Sequence, residues 1–244
     1  MVINPDGTTK TAPAYQLGGA GPVYNDVGTA FANVGVGGIK YFHTNSALAD
    51  SSATGSDSVA IGPTAKAVTG ASIAIGLGAV SGGAFTASIA MGNAASATGG
   101  SDIAIGQAAK STAAYGVAIG WNTNAGAAQT VAVGYLASAT NANDVALGSN
   151  SVTGAPNAGA FTLNGGTAAA TAPASVVSVG KAGAERQINN VAAGVLSASS
   201  TDAVNGSQLF ITATAVNNLA TSASTTFGGG MVINPDGTTK TAPA

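Results

Sequence analysis

Cysteine is absent from the 244 residues, which removes disulfides, thiolate nucleophiles and cysteine-based zinc sites together. This suits either a reducing cytosol or a surface protein that crosses a membrane unfolded. Charge is scarce as well: Asp, Glu, Lys and Arg make up 7% of the chain and the net charge is −2, so no basic excess exists for phosphate contacts and nucleic-acid binding is not expected. Glu185 is the only glutamate, Arg186 the only arginine and His43, within Tyr41-Phe42-His43-Thr44, the only histidine. General acid–base or triad chemistry needs partners that this composition hardly supplies, so neither an enzyme nor a resident cofactor or metal is expected. No run of about 18 apolar residues offers a membrane-spanning helix. The opening Met-Val-Ile-Asn-Pro-Asp has neither the basic start nor the apolar stretch of a secretory leader.

What is present is repetition. The pattern x-[Val/Ile]-Ala-[Ile/Met/Val/Leu]-Gly occurs seven times, ending at Gly62, Gly76, Gly92, Gly106, Gly120, Gly134 and Gly148. Five of the six steps are 14 residues and one is 16, so one small unit is stacked on itself. Three before the glycines stand Val59, Ile73, Ile89, Ile103, Val117, Val131 and Val145; one before stand Ile61, Ile75, Met91, Ile105, Ile119, Val133 and Leu147. Between them every residue is Ala: Ala60, Ala74, Ala90, Ala104, Ala118, Ala132 and Ala146. Alternation in a β-branched run marks a short strand. A second strand of small residues follows each glycine, as in Ala65 and Ala67 or Ala95 and Ala97. Two short strands and two turns per 14 residues make a parallel β-roll, a solenoid.

The large aliphatics of one wall are expected to meet the small residues of the other inside the roll, leaving the Ala column outward. A bare methyl column lets another wall approach closely, so Ala60 to Ala146 are assigned to packing between copies. A single roll this slim and Ala/Gly-rich is marginal against the conformational entropy it must overcome, and oligomerisation supplies the missing burial.

Beyond the roll the period changes. Leu209, Val216 and Ala223 fall seven apart, and so do Thr212, Leu219 and Thr226, an a/d seam of about three heptads. Leu209, Val216 and Leu219 are therefore also assigned to packing between chains. Asp202, before Ala203 and Val204, is placed as a helix N-terminus. The stretch 149–176, with Pro156, Phe161, Asn164-Gly165-Gly166 and Pro173, breaks the rhythm and reads as a protruding hairpin or loop. Gly82-Gly83-Ala84-Phe85 marks the 16-residue step as a bulged turn. Residues 1–14, MVINPDGTTKTAPA, return unchanged as 231–244, which points to tandem modules of 230 residues; duplication of one end during cloning is the alternative.

Order and motif together resemble the passenger of YadA-like trimeric autotransporter adhesins. The head motif is matched by Asp57-Ser58-Val59-Ala60-Ile61-Gly62 and Ala71-Ser72-Ile73-Ala74-Ile75-Gly76. The neck is matched by Val179-Gly180 through Ala182-Gly183, Arg186-Gln187-Ile188, Val191-Ala192-Ala193-Gly194, Thr201-Asp202-Ala203-Val204-Asn205 and Gln208-Leu209. The resemblance, over roughly residues 40–227, implies a mainly β homotrimer: a left-handed parallel β-roll head, a neck and a short trimeric coiled coil. The segments expected are 1–37, resembling a stalk insertion with a short helix; 38–179, the head; 180–208, the neck; 209–227, the stalk; and 228–244, the start of another copy.

The implied function is attachment to host extracellular matrix or cells from a bacterial outer membrane, as a virulence-associated product of type V secretion. Membrane contact is implied only through an anchor outside this fragment. A non-binding spacer within a longer surface fibre is the alternative, and no ligand-contacting residue is assigned. An ice-binding solenoid wants one flat Thr column, whereas the positions two after each glycine are irregular; a trimeric phage fibre is the third possibility. Gly76-Leu77-Gly78 reads as turn glycines rather than a dinucleotide fingerprint, and Asn141 to Asp144 lacks the full ligand set of a calcium loop. Trp121 and Tyr135, each directly after its glycine, read either as a stack between coils or as an exposed ridge for a partner.

Overall fold

Each Val/Ile-Ala-aliphatic triplet forms a three-residue strand, and because the triplets are alike they pair in register. The first sheet has eight parallel strands: Val59–Ile61, Ile73–Ile75, Ile89–Met91, Ile103–Ile105, Val117–Ile119, Val131–Val133, Val145–Leu147 and Val177–Ser178. Ala pairs with Ala from Ala60 to Ala146. The second sheet has seven two-residue strands, from Ser52–Ala53 and Lys66–Ala67 to Ser138–Ala139, also parallel. This computed structural model describes residues 2–11, 14–16, 23–24, 26–37, 45–163, 165–227, 232–233 and 239–240. His43 lies outside them, as do Gly228–Gly230.

The turns continue the ladder rather than interrupting it. Five residues before and two after each repeat glycine, the backbone has φ between 50° and 66° in all seven coils, and only Gly78 among these fourteen positions is glycine. That conformation costs a residue with a Cβ about 1 kcal/mol. It aims the amide along the stack: Ala94 donates to Leu77 O at 2.8 Å, Ala108 to Asn93 O at 2.8 Å and Asn122 to Gln107 O at 2.9 Å. The glycines stack as tightly. A Cβ on Gly106, whose φ is 130°, would stand 2.3 Å from the carbonyl oxygen of Gly120, a contact no side chain tolerates.

Between the sheets lie only small residues. Every hydrophobic residue buried in the roll is an alanine, from both sheets: Ala74, Ala90, Ala104, Ala118, Ala132 and Ala146 face Ala65, Ala67, Ala79, Ala95, Ala97, Ala109, Ala125, Ala137 and Ala139. Ser, Thr and Asp fill the remaining inward positions, and several of them staple the turns, whereas the hydroxyls of Ser81, Ser88 and Ser111 have no partner among the described residues. Ser58 Oγ donates to Gly55 O at 2.7 Å, Thr130 Oγ1 to Ala127 O at 2.7 Å, and Asp102 accepts from Gly99 and Gly100 N–H at 3.0 and 3.2 Å.

The rhythm breaks at both stretches singled out by the sequence. Residues 82–87 hold the 16-residue step, with Gly82 at φ 122°. Between the coil of Gly148 and the strand Val177–Ser178, an antiparallel hairpin pairs Thr162–Leu163 with Gly166–Thr167. Val145 then pairs with Val177 and Ala146 with Ser178, so the stack resumes in register. Arg186 closes it: its guanidinium donates to Ser151 Oγ at 2.9 Å and to the carbonyls of Val179 and Ser149, taking up acceptors that a further coil would otherwise meet.

Among the described residues two helices flank the roll in sequence, α1 (Val27–Gly37) and α2 (Gly206–Phe227). Asp26 caps α1 by accepting Thr29 N–H at 2.7 Å. The cap of α2 is Asn205, not Asp202. Asn205 Oδ1 accepts Gln208 N–H and Gln208 Oε1 accepts Asn205 N–H, each at 3.2 Å, a reciprocal capping box. Asp202 instead accepts Val195 N–H at 3.0 Å and folds the connector. The repeated end segments each form an antiparallel pair, with Ile3 opposite Thr9 and Ile233 opposite Thr239, but the register shifts at Val2, which faces Thr11, whereas Val232 faces Lys240.

Candidate self-association surface

The residues assigned from sequence to packing between copies divide in two. The Ala column is not a surface. Ala74, Ala90, Ala104, Ala118, Ala132 and Ala146 are fully buried within their own chain, and Ala60 is partly buried against the same cluster. None of the fully buried six can touch a second chain, which corrects the expected facing of the strand. The reason is the width of the turns. Four-residue turns, closed by bonds such as Ala79 N–H to Gly76 O at 3.2 Å and Ala109 N–H to Gly106 O at 3.2 Å, hold the two sheets a turn's width apart. Methyl and hydroxymethyl groups fill that gap; isoleucine does not fit.

The large aliphatics therefore point out. None of the fourteen Val, Ile, Met and Leu side chains flanking the Ala column is buried, and Leu147 is 50% exposed. They form two adjacent columns running the length of the first sheet, an apolar wall that no element among the described residues covers. Sequence reasoning missed them as surface residues because it placed bulk inside by habit. The available signal was that both strands of each coil offer small residues at alternate positions, so small could face small.

The outer face of the second sheet differs. Its outward residues are Ser52, Lys66, Val80, Ser96, Lys110, Asn124 and Ser138, short or polar groups suited to solvent. On α2 the assigned seam residues Leu209, Val216 and Leu219 are all exposed, Leu219 by 70%, together with Phe210 and Ile211. The connector before α2 adds exposed Ile188, Val195, Leu196 and Val204. Gln208 pins that connector to the helix, accepting Gly194 N–H at 3.0 Å and donating to Gly194 O at 2.7 Å.

Trp121 and Tyr135 do stack between coils, with centroids 5.0 Å apart and planes at 12°, and both are also substantially exposed. Asp144, considered as part of a calcium-like loop, is instead an internal staple. It is buried, and its carboxylate accepts Asn141 Nδ2 at 2.9 Å and Val176 N–H at 2.8 Å. Burial raises its pKa, but hydrogen bonds from Thr153, Asn141 and the Val176 amide outweigh that and leave it below the usual carboxylate value. Among the described residues no three His, Cys, Asp or Glu side chains gather to hold a metal ion. Among them, too, no helix is long and apolar enough to cross a membrane.

Two family models match the chain. One, the coiled stalk of trimeric autotransporter adhesins, covers residues 187–230; the other, the YadA head domain repeat, covers 53–79, 97–123 and 125–151. Together they span just over half of the 244 residues. No curated protein matches. Of solved structures, the chain is similar to the C-terminal YadA-like domain of a Burkholderia pseudomallei protein, at 31% identity over 98% of this chain and 84% of that one, with a TM-score of 0.34. It is similar also to the collagen-binding domain of the Yersinia adhesin YadA, at 30% identity over 70% of this chain and 90% of that one, with a TM-score of 0.49.

Proposed function

Because the chain belongs to the YadA-like trimeric autotransporter adhesins, we propose that three copies join through the aliphatic wall of the head and the seam of α2 and act as an attachment module on a bacterial surface. The family and the solenoid fold are those of a non-enzymatic structural protein. The observation that carries the trimer is the inversion of the roll, with alanine inside and fourteen larger aliphatics outside. A contiguous apolar wall of this length marks an interaction site, and burying each side chain contributes about 1.5–3 kcal/mol. Leu209, Val216 and Leu219 extend the same association into the stalk, where an isolated helix of this amphipathic weakness needs partners.

In this reading the segments act as insertion (1–37), head (38–179), neck (180–208), stalk (209–227) and the opening of a further copy (228–244). The partner is a host matrix or cell-surface protein, met by the outer faces that the wall leaves free. Repeated identical contacts along the stack let weak sites act together. Light scattering on the purified chain, of mass 22.9 kDa, is expected to return three chains, and the trimer is expected to be retained on immobilised matrix proteins. A monomer overturns the assembly. A trimer that binds no matrix protein above background is the spacer.

A further inference from the structure

Two pairs of exposed aromatic rings stand on opposite turns of the roll. Trp121 and Tyr135 sit where the chain leaves the first sheet, directly after Gly120 and Gly134. Tyr115 sits where the chain enters it, two residues before Val117, and stacks on Phe85 with centroids 5.8 Å apart and planes at 19°. Phe85 comes from the two-residue insertion and lies over Gly100, where a Cβ would stand 2.6 Å from Phe85 N. All four side chains are between 42% and 54% exposed.

Height matters more than exposure. The coil ending at Gly120 carries both Tyr115 and Trp121, and between them runs Val117–Ile119, whose Val117 and Ile119 belong to the aliphatic wall. About six residues of nearly extended chain, on the order of 15–20 Å, separate the two pairs. Tyr115 and Trp121 therefore flank the wall at one level, one on each side, with Phe85 reaching up to Tyr115 from two coils below and Tyr135 lying one coil above Trp121.

A three-fold assembly is closed by heterologous contacts, in which one edge of each protomer meets the opposite edge of the next. Rotation about an axis along the stack preserves height. We infer that Trp121 and Tyr135 of one protomer pack against Phe85 and Tyr115 of its neighbour, forming an aromatic belt around the head; this rests on the trimeric reading above. The belt continues the wall around its turns, and aromatic pairs prefer such offset or edge contacts. A host ligand would need only one of the two pairs; a neighbouring copy uses both, which overlap at the height of the coil that holds Tyr115 and Trp121.

Trp121 is the only tryptophan, so fluorescence reads this contact alone. The double variant Phe85→Ser with Tyr115→Asn alters the far edge, which lies across the wall from Trp121 of the same chain; asparagine suits the positive φ at 115. In the trimer, acrylamide quenching of Trp121 is expected to rise about twofold in the variant, with a red-shifted emission, as burial under aromatic partners is lost. Should the double variant lose its β signal, Tyr115→Asn alone is measured in the same way. A trimer whose quenching is the same in wild type and variant overturns the belt and leaves the trimer standing. A monomeric wild type overturns both.

Discussion

Ala94 holds φ at 53° to aim its amide at Leu77 O, and Gly106 holds φ at 130° against the backbone of Gly120. The same repeat thus asks opposite things of two neighbouring columns. At Ala94 the Cβ is strained but has room; at Gly106 it has neither a permitted backbone nor space. Ala94→Gly is expected to raise stability by about 0.5–1 kcal/mol, the relieved strain exceeding the added freedom of the unfolded chain. Gly106→Ala is expected to lower it by about 3 kcal/mol, because the clash is with backbone that the whole stack holds in place. Thermal melts of the two variants beside wild type read both signs. The glycine column was legible from spacing alone. The strained alanines were not, because an alanine gives no sign of its φ until the neighbouring coil demands an amide there.

The last coil depends on a single buried carboxylate. Asp144 binds Val176 N–H and so draws the chain back after the hairpin insertion, 32 residues later. Its folded pKa lies below the ordinary carboxylate value, so its stabilisation is complete above the unfolded pKa of about 4 and is lost as pH falls through the folded value. Melting between pH 6 and pH 2.5 is expected to show a loss confined to the acid end. Asp144→Asn should be less stable at pH 6 and show a shallower acid slope; an unchanged slope would remove Asp144 from the acid response. At this scale the sequence reading marked 149–176 as a hairpin or loop, and the structure makes it a hairpin. The same reading misplaced the start of α2, because Asp202 and Asn205 are both good caps and only the reciprocal bond with Gln208 selects the second.

For the molecule as a whole, the inverted roll separates folding from assembly. Folding depends on small residues between the sheets, and the proposed association on large ones outside. Ile105→Thr with Ile119→Thr keeps strand propensity while removing apolar surface, at about 2 kcal/mol per side chain. The expected result is a trimer that dissociates at micromolar concentration with its far-UV β signal retained. Ala104→Leu should abolish that signal at any concentration, since a gap one turn wide has no space for the added carbons. The opposite outcome, in which Ala104→Leu affects association alone, would return the Ala column to the interface.

Spacing by itself determined the coil, the parallel register, the break at 149–176 and the helix that follows, because strand and turn periods are local and repeat too often to be accidental. Only the tertiary structure decided which side of each strand is inside. Alternation says that two faces exist, and both a roll filled with isoleucine and one filled with alanine satisfy it. The width of the turns, closed by the hydrogen bond from Ala109 N–H to Gly106 O, chooses alanine.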